Sequence, residues 1–291
     1  MLYILLTIFS SVFLLLSFKL FPKFEINTLV AIVYNYLTAA ITGFIFLKVP
    51  FSFNEIIYSP WIKVSLPFGG ILISVLYLIS LTAQRISVST ASIANKMSVA
   101  MPVLFSVIFL NQQLSAIKAI GIVLAFVAVY LSSKRDDNNR QLKKLIWLPI
   151  LVFIGSGLID TSINAANAFY VRSENENVLF SISAFSSAFL MGIIIIMGLF
   201  TVKRIKLSQL FKLKNIAAGL VLGIPNYFSI YFIFKSLKTN ILTSAQLFPV
   251  LNLSNVVISV VLAYFIFKEK LSALNMIGIC AAVLSIILIT I

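Results

Sequence analysis

The sequence predicts an all-α polytopic membrane protein: ten transmembrane helices arranged as two inverted five-helix repeats. Three observations predict it. Of 291 residues, 61% are apolar and only 10% charged, against roughly 25% charged in an average soluble domain. The apolar residues fall into ten long runs. The two halves of the chain also end in similar sequences. A soluble fold of this length has too little interior for so much apolar surface, and disorder needs the opposite composition.

A span needs about 20 apolar residues, with a range of roughly 17–25. The runs cover 2–18, 28–47, 64–82, 86–110, 114–132, 146–170, 178–200, 215–234, 242–267 and 272–290. They are too long for strands and lack the ten-residue alternation of a membrane barrel, so helix is predicted throughout. The first run opens Met1-Leu2-Tyr3, without a basic leader or a small-x-small cleavage site, and reads as a retained helix. Tight turns are expected near 83–85 and 111–113. The longest hydrophilic stretch is Ser132–Lys144. The predicted organisation is therefore a first repeat over 1–133, a basic cytoplasmic linker over 134–145 and a second repeat over 146–291.

The chain carries 22 Lys and Arg against 8 Asp and Glu, a net charge of +14. The excess reads as orientation rather than as a nucleic-acid surface, because cytoplasmic loops collect Lys and Arg. Alternate loops divide the cations unequally: 15 on the side of Lys19, Arg85, the linker, the 203–214 loop and Lys268, 6 on the other, and Lys96 within a span. The richer side is predicted to be cytoplasmic, which puts both termini outside. Tyr58 and Trp61 are expected at the outer interface and Trp147 at the inner one. The segment Lys203–Lys214 mixes five cations with five apolar residues. It is read either as lying along the inner leaflet or as a solvated basic loop.

The repeat is clearest at the last helix of each half. Residues 114–125 read LSAIKAIGIVLA and residues 271–282 read LSALNMIGICAA, at a constant offset of 157. Both copies place Gly and Ala four apart, Gly121/Ala125 and Gly278/Ala282. Such spacing lets helices approach closely, either within the chain or in a homodimer. Upstream, Ser80-Leu81 matches Ser236-Leu237, which sets Gly69 and Gly70 near the counterparts of Gly223 and Pro225. The third and eighth helices are therefore expected to be interrupted near one end. Pro102 and Pro249 are a looser pair of hinge candidates on the fourth and ninth. Five spans per half is an odd number, so the second half must insert upside down. Inverted repeats with interrupted helices are a transporter's signature, and the interruptions point to the binding site.

Ten spans as five plus five, with a polar-Glu/Gln-polar-Leu-Ser stretch leading into a Gly-bearing last helix, resemble the EamA-like family of the drug/metabolite transporter superfamily. The stretches here are Asn111-Gln112-Gln113-Leu114-Ser115 and Lys268-Glu269-Lys270-Leu271-Ser272. The resemblance covers essentially the whole chain. It implies the fold and transport, not the cargo, and it implies a structural cap or hinge role for Glu269, whose first-half position is Gln112. It also implies cytoplasmic termini, which opposes the charge count.

A charge at the bilayer centre costs at least ~2.5–3.5 kcal/mol on insertion scales. Two such residues stand out, Lys96 in the fourth run and Asp160 in the sixth. At 1.5 Å per residue they lie ~15 and ~21 Å from the same face. They are read either as an ion pair that neutralises itself or as a site for substrate or a coupling proton. A Lys attracts a carboxylate or phosphate and an Asp attracts an ammonium group, so together they suit a zwitterion such as an amino acid. Neutral polar residues on the same or matching helices extend the candidate site: Asn95, Asn164, Asn226, Tyr227, Tyr231, Gln246, Asn252 and Tyr77.

The chain has no His and one Cys, Cys280. Zinc, haem and iron–sulfur ligation and Ser-His-Asp chemistry are thereby excluded, and no metal or cofactor is expected. No P-loop is present. Asp160 is the only intramembrane acid, which makes a membrane-embedded enzyme unfavourable. The expectation is a secondary-active transporter of a small polar metabolite, an amino acid or related zwitterion, acting as an exporter, with H⁺ as a candidate coupling ion. The alternative is a flippase for a lipid-linked or amphiphilic substrate.

Overall fold

The computed structural model describes residues 2–47, 52–109, 113–134, 145–170, 174–238, 244–269 and 271–290. Every regular element among the described residues is a helix: α1 Leu2–Leu20, α2 Thr28–Phe46, α3 Phe53–Tyr58, α4 Ile62–Arg85, α5 Val88–Met97, α6 Ala100–Phe109, α7 Ala116–Ser133, α8 Trp147–Phe169, α9 Glu174–Thr201, α10 Leu207–Leu210, α11 Leu213–Lys238, α12 Ser244–Phe267 and α13 Ala273–Thr290. Among the described residues nine stretches are long and apolar enough to cross a bilayer, α5 and α6 counting as one over Val88–Phe109. The sixth predicted run forms α8, 23 residues long and apolar over its described stretch Trp147–Ile163. The linker calls over 135–144 lie outside the described residues.

The chain forms two compact units that do not follow its halves. The first comprises Met1–Leu20, Leu78–Asp160 and Ser229–Ile291; the second comprises Phe21–Tyr77 and Thr161–Phe228. Each takes helices from both halves of the sequence.

In the first unit α7 and α13 pack antiparallel with small residues between them. A Cβ on Gly121 would stand 2.9 Å from the backbone nitrogen of Ile289, and one on Gly278 would stand 2.7 Å from that of Ser132. Gly121 and Gly278 are 157 positions apart, and so are Ser132 and Ile289. The two contacts are thus the same contact with the halves exchanged. Ala125 and Ala282 are fully buried beside them. These small faces meet each other within the chain, the first of the two readings of this spacing. The shared Ser of the two matching stretches starts each helix: Ser115 Oγ accepts from Lys118 N at 3.3 Å and Ser272 Oγ from Asn275 N at 3.2 Å. Asn275 Oδ1 accepts in return from Ser272 N, closing a reciprocal cap. Its Nδ2 lies within 3.3 Å of the Leu131, Ser132 and Lys134 carbonyls at the end of α7. Ile4, Ile8 and Val12, one stripe of α1, form a core with Leu247 and Leu251 of α12.

In the second unit α2 and α9 also run antiparallel. Gly43, late in α2, lies against Ile182, early in α9, and Gly192, late in α9, lies against Val33, early in α2. Gly223 of α11 sits on the Asn35–Thr38 turn of α2, and Gly69 of α4 sits on the Ser187–Ala188 backbone of α9. Both glycines therefore serve close approach. Trp61 departs from the expected interfacial position. It is 1% exposed and meets Phe180 edge-on at 6.2 Å, so it fills the interior of this unit. Tyr58 and Trp147 are exposed.

The interruption expected in the third and eighth spans is not there. Helices α4, α11 and α12 run unbroken through Pro67, Pro225 and Pro249. The break falls in the fourth span, between α5 and α6.

Candidate functional site

Helix α5 begins with Ser87, whose Oγ accepts from Thr90 N at 2.9 Å, and ends at Met97. Pro102 explains the ending. It has no N–H for the Ser98 carbonyl four residues back, and its ring crowds that carbonyl. Met101 N bonds Ser98 O instead, at 2.9 Å, and the chain restarts as α6 at Ala100. Pro102 itself falls in the first turn of α6, where a missing N–H costs nothing. Lys96 is left in the last turn of α5, half-buried, with Asn95 beside it. Its cation is favourably placed at that negative helix end.

Helix α8 comes close to the break because Gly157 has no side chain: a Cβ there would stand 2.7 Å from Met101 Cβ and 3.5 Å from Ser98 O. One turn on, Asp160 reaches the same place. Ser98 Oγ lies 2.6 Å from Asn95 O and 3.1 Å from Asp160 Oδ2, and its single proton can serve either. Lys96 and Asp160 feel each other's charge. They do not close to an ion pair: among the described residues those are Lys19–Glu269 and Lys214–Glu25. Asp160 is exposed. The self-neutralising pair, one of the two readings of these residues, is not formed.

The other candidates fall in both units. In the first unit Ser259 Oγ donates to Ser92 Oγ at 2.6 Å, and Asn255 Nδ2 donates to Leu251 O at 2.8 Å, which leaves its Oδ1 buried without a partner. Asn252 is half-buried one turn away. The Lys235 ammonium stands 5.5 Å above the Tyr231 ring. In the second unit Asn226 Nδ2 donates to Asn35 Oδ1 at 3.3 Å, Tyr227 packs on Phe46 and Phe228, and Tyr77 is half-buried. The side chains of Asn164 and Gln246 lie outside the described residues. Groups of three or more potential metal ligands do not occur among the described residues.

Glu269 lies past the end of α12 and caps a different helix. Its Oε1 accepts from Val88 N at 2.8 Å, and its Oε2 accepts from Ser89 Oγ at 3.0 Å and Ser89 N at 3.4 Å. These are the first two residues of α5, whose N–H groups have no partner within the helix. Lys19 Nζ stands 3.6 Å away. A cavity of about 20 Å³ beside the carboxylate, bordered by Ser87, Thr90 and Asn275, has room for one water. Gln112 lies outside the described residues.

Comparison with known families gives a match to the model of the EamA-like transporter family over residues 1–134 and 150–291. The chain belongs to the EamA-like transporter family. It is a multi-pass membrane transporter of the drug/metabolite transporter superfamily. It is also similar to an uncharacterised protein of Haemophilus influenzae, 26% identical over 256 residues, covering 86% of this chain and 84% of the relative.

Within this EamA-like chain, three residues beyond the expected site residues organise polar contacts or close approach, Ser98 and Gly157 in the first unit and Asn35 in the second. Ser98 bridges the break and Asp160, Gly157 admits α8, and Asn35, fully buried with an unpartnered Nδ2, receives Asn226. Pro102 carried a signal for the first of these, since its effect falls four residues upstream, on Ser98.

Proposed function

We propose that the protein is a secondary-active exporter of a small polar zwitterion, an amino acid or a close relative, working by alternating access between inverted repeats. The observation that carries this reading is the broken fourth span, where Lys96, Ser98 and Asp160 offer a cation, a hydroxyl and a carboxylate within one small region. Lys96 would hold the substrate carboxylate and Asp160 its ammonium group, with Asn95 completing the hydrogen bonds. Irregular backbone within a span is tolerated only where it is buried in protein or lines a water-filled cavity, which favours a site at this break. An Asp with no committed cation partner is also a candidate carrier of a coupling proton. Asn252 and Tyr231, of the same unit, are proposed as secondary contacts.

The antiparallel pairs α2/α9 and α7/α13 support the inverted arrangement, because equivalent helices in oppositely inserted halves must run in opposite directions. The exchanged contacts of Gly121 and Gly278 support the same offset. The location we propose is the cell membrane, with 134–145 and 203–214 facing the cytoplasm.

Uptake of labelled amino acids into proteoliposomes tests the reading. Lys96→Ala and Asp160→Asn are each expected to lower transport at least tenfold while leaving the thermal midpoint of the purified protein close to wild type. Normal transport by both variants, or transport of amphiphiles in place of amino acids, overturns it.

A further inference from the structure

We propose that the segment 202–214, in the second unit, is a binding face for the headgroups of anionic phospholipids. This goes beyond the transport reading and does not depend on it. The segment follows the apolar stretch Val178–Thr201 and leads into Leu213–Ile233, both long and apolar enough to cross a bilayer, which would set it at headgroup depth.

Its inner side is fastened to the protein. Ile205 is buried. Gln209 Oε1 accepts from Asn27 Nδ2 at 2.9 Å, and the Leu210 carbonyl accepts from the Tyr34 hydroxyl at 3.2 Å. Asn215 closes the loop, accepting from Asn27 N at 2.9 Å and donating to Gln209 O at 2.6 Å. Lys214 is also committed. It donates to Glu25 Oε2 at 2.9 Å and holds that carboxyl below the usual range.

The outer side has two kinds of side chain. Lys203, Arg204, Lys206 and Lys212 are exposed, with no acidic residue anywhere in 202–214. Leu207, Phe211 and Leu213 project among them, Phe211 71% and Leu213 79% exposed. Cations and bulky apolar groups on one surface at the bilayer edge match a lipid: phosphate for the cations, the upper acyl chains for the apolar groups. A free phosphate ion would use only the cations. The backbone carries a further sign. Lys203 has φ 56°, and Arg204 N and Lys203 N bond the Leu199 and Phe200 carbonyls at 2.9 Å each. This is a helix-ending turn that glycine ordinarily occupies. Here a lysine takes the strained conformation and directs a charge out of the turn.

The test uses the full chain in bilayer discs of phosphatidylcholine with and without phosphatidylglycerol. Lipids retained by the protein are counted by native mass spectrometry, and thermal midpoints are measured in each disc. The wild type is expected to enrich phosphatidylglycerol and to melt higher in its presence, with both effects weakened by salt. Each neutralised cation should lower the enrichment about fivefold, the equivalent of ~1 kcal/mol per basic residue near an anionic surface. The combined variant Lys203→Gly, Arg204→Gln, Lys206→Gln, Lys212→Gln should lose the enrichment, and Phe211→Ser should weaken it. If the combined variant does not fold, Lys203→Gly alone suffices. It removes one cation and relieves the turn, so it should melt higher in phosphatidylcholine while enriching less phosphatidylglycerol. Unchanged enrichment in the folded variants overturns the proposal. So does displacement of the bound lipid by soluble glycerol phosphate at concentrations that match the disc.

Discussion

One carboxylate at Glu269 serves two backbone N–H groups, a hydroxyl and an ammonium group, and it does so at 8% exposure of its side chain. Removing it leaves two helix-end donors without partners in a nearly closed environment. Glu269→Ala should therefore destabilise the protein by about 2–4 kcal/mol, from roughly 1–3 kcal/mol per unsatisfied buried group. Glu269→Gln keeps an acceptor and should cost about half as much on the same scale. Melting of the purified protein in detergent measures both, and equal midpoints for the two variants and wild type would count against the cap. The acid was visible in the sequence as part of a recurring stretch. Its partner was not, because Val88 lies 181 positions away and nothing local marks the pair. The same limit applied to Trp61. An aromatic residue near the end of an apolar run looks identical whether it belongs at an interface or inside, and only its contact with Phe180 decides between them.

The fourth span was legible as a single element and turned out to be two. Its apolar residues continue across the break, so hydropathy sees no gap at Ser98 and Val99. The cause is the single missing N–H of Pro102. Pro102→Ala restores a donor for the Ser98 carbonyl and removes the crowding, so α5 and α6 should tend to join. The expected outcome is higher stability, by up to ~3 kcal/mol and read as a raised thermal midpoint, together with slower amino-acid uptake in proteoliposomes. Faster or unchanged uptake with the higher midpoint would separate the break from transport. The third and eighth spans carry their prolines and glycines within unbroken helices. Their glycines mark where another helix comes close, which is a packing demand that sequence cannot distinguish from a bend.

For the whole molecule, composition and spacing were enough to indicate an all-helical membrane protein, because lipid imposes both directly on the sequence, while the family was indicated by the resemblance of its two recurring stretches. The grouping of helices into units was not legible, since it depends on contacts between distant segments. Sidedness is open to a simple measurement. In a Cys280→Ser background, Asn138→Cys should react with a membrane-impermeant thiol reagent only from the cytoplasmic face, and Ser173→Cys only from outside. The reverse pattern would invert the orientation inferred from the 15 and 6 cations. The composition of the units also bears on how the protein is made. When the ribosome has delivered the first half of the chain, neither unit can be complete, because one needs Thr161–Phe228 and the other needs Ser229–Ile291. Gly121 then faces the bilayer without Ile289, and Val88 waits for Glu269. The nascent chain must be held by the insertion machinery until Phe228 completes the second unit and Ser229–Ile291 the first, and a ribosome that stops before Thr161 releases a product with no finished part to protect it from proteolysis.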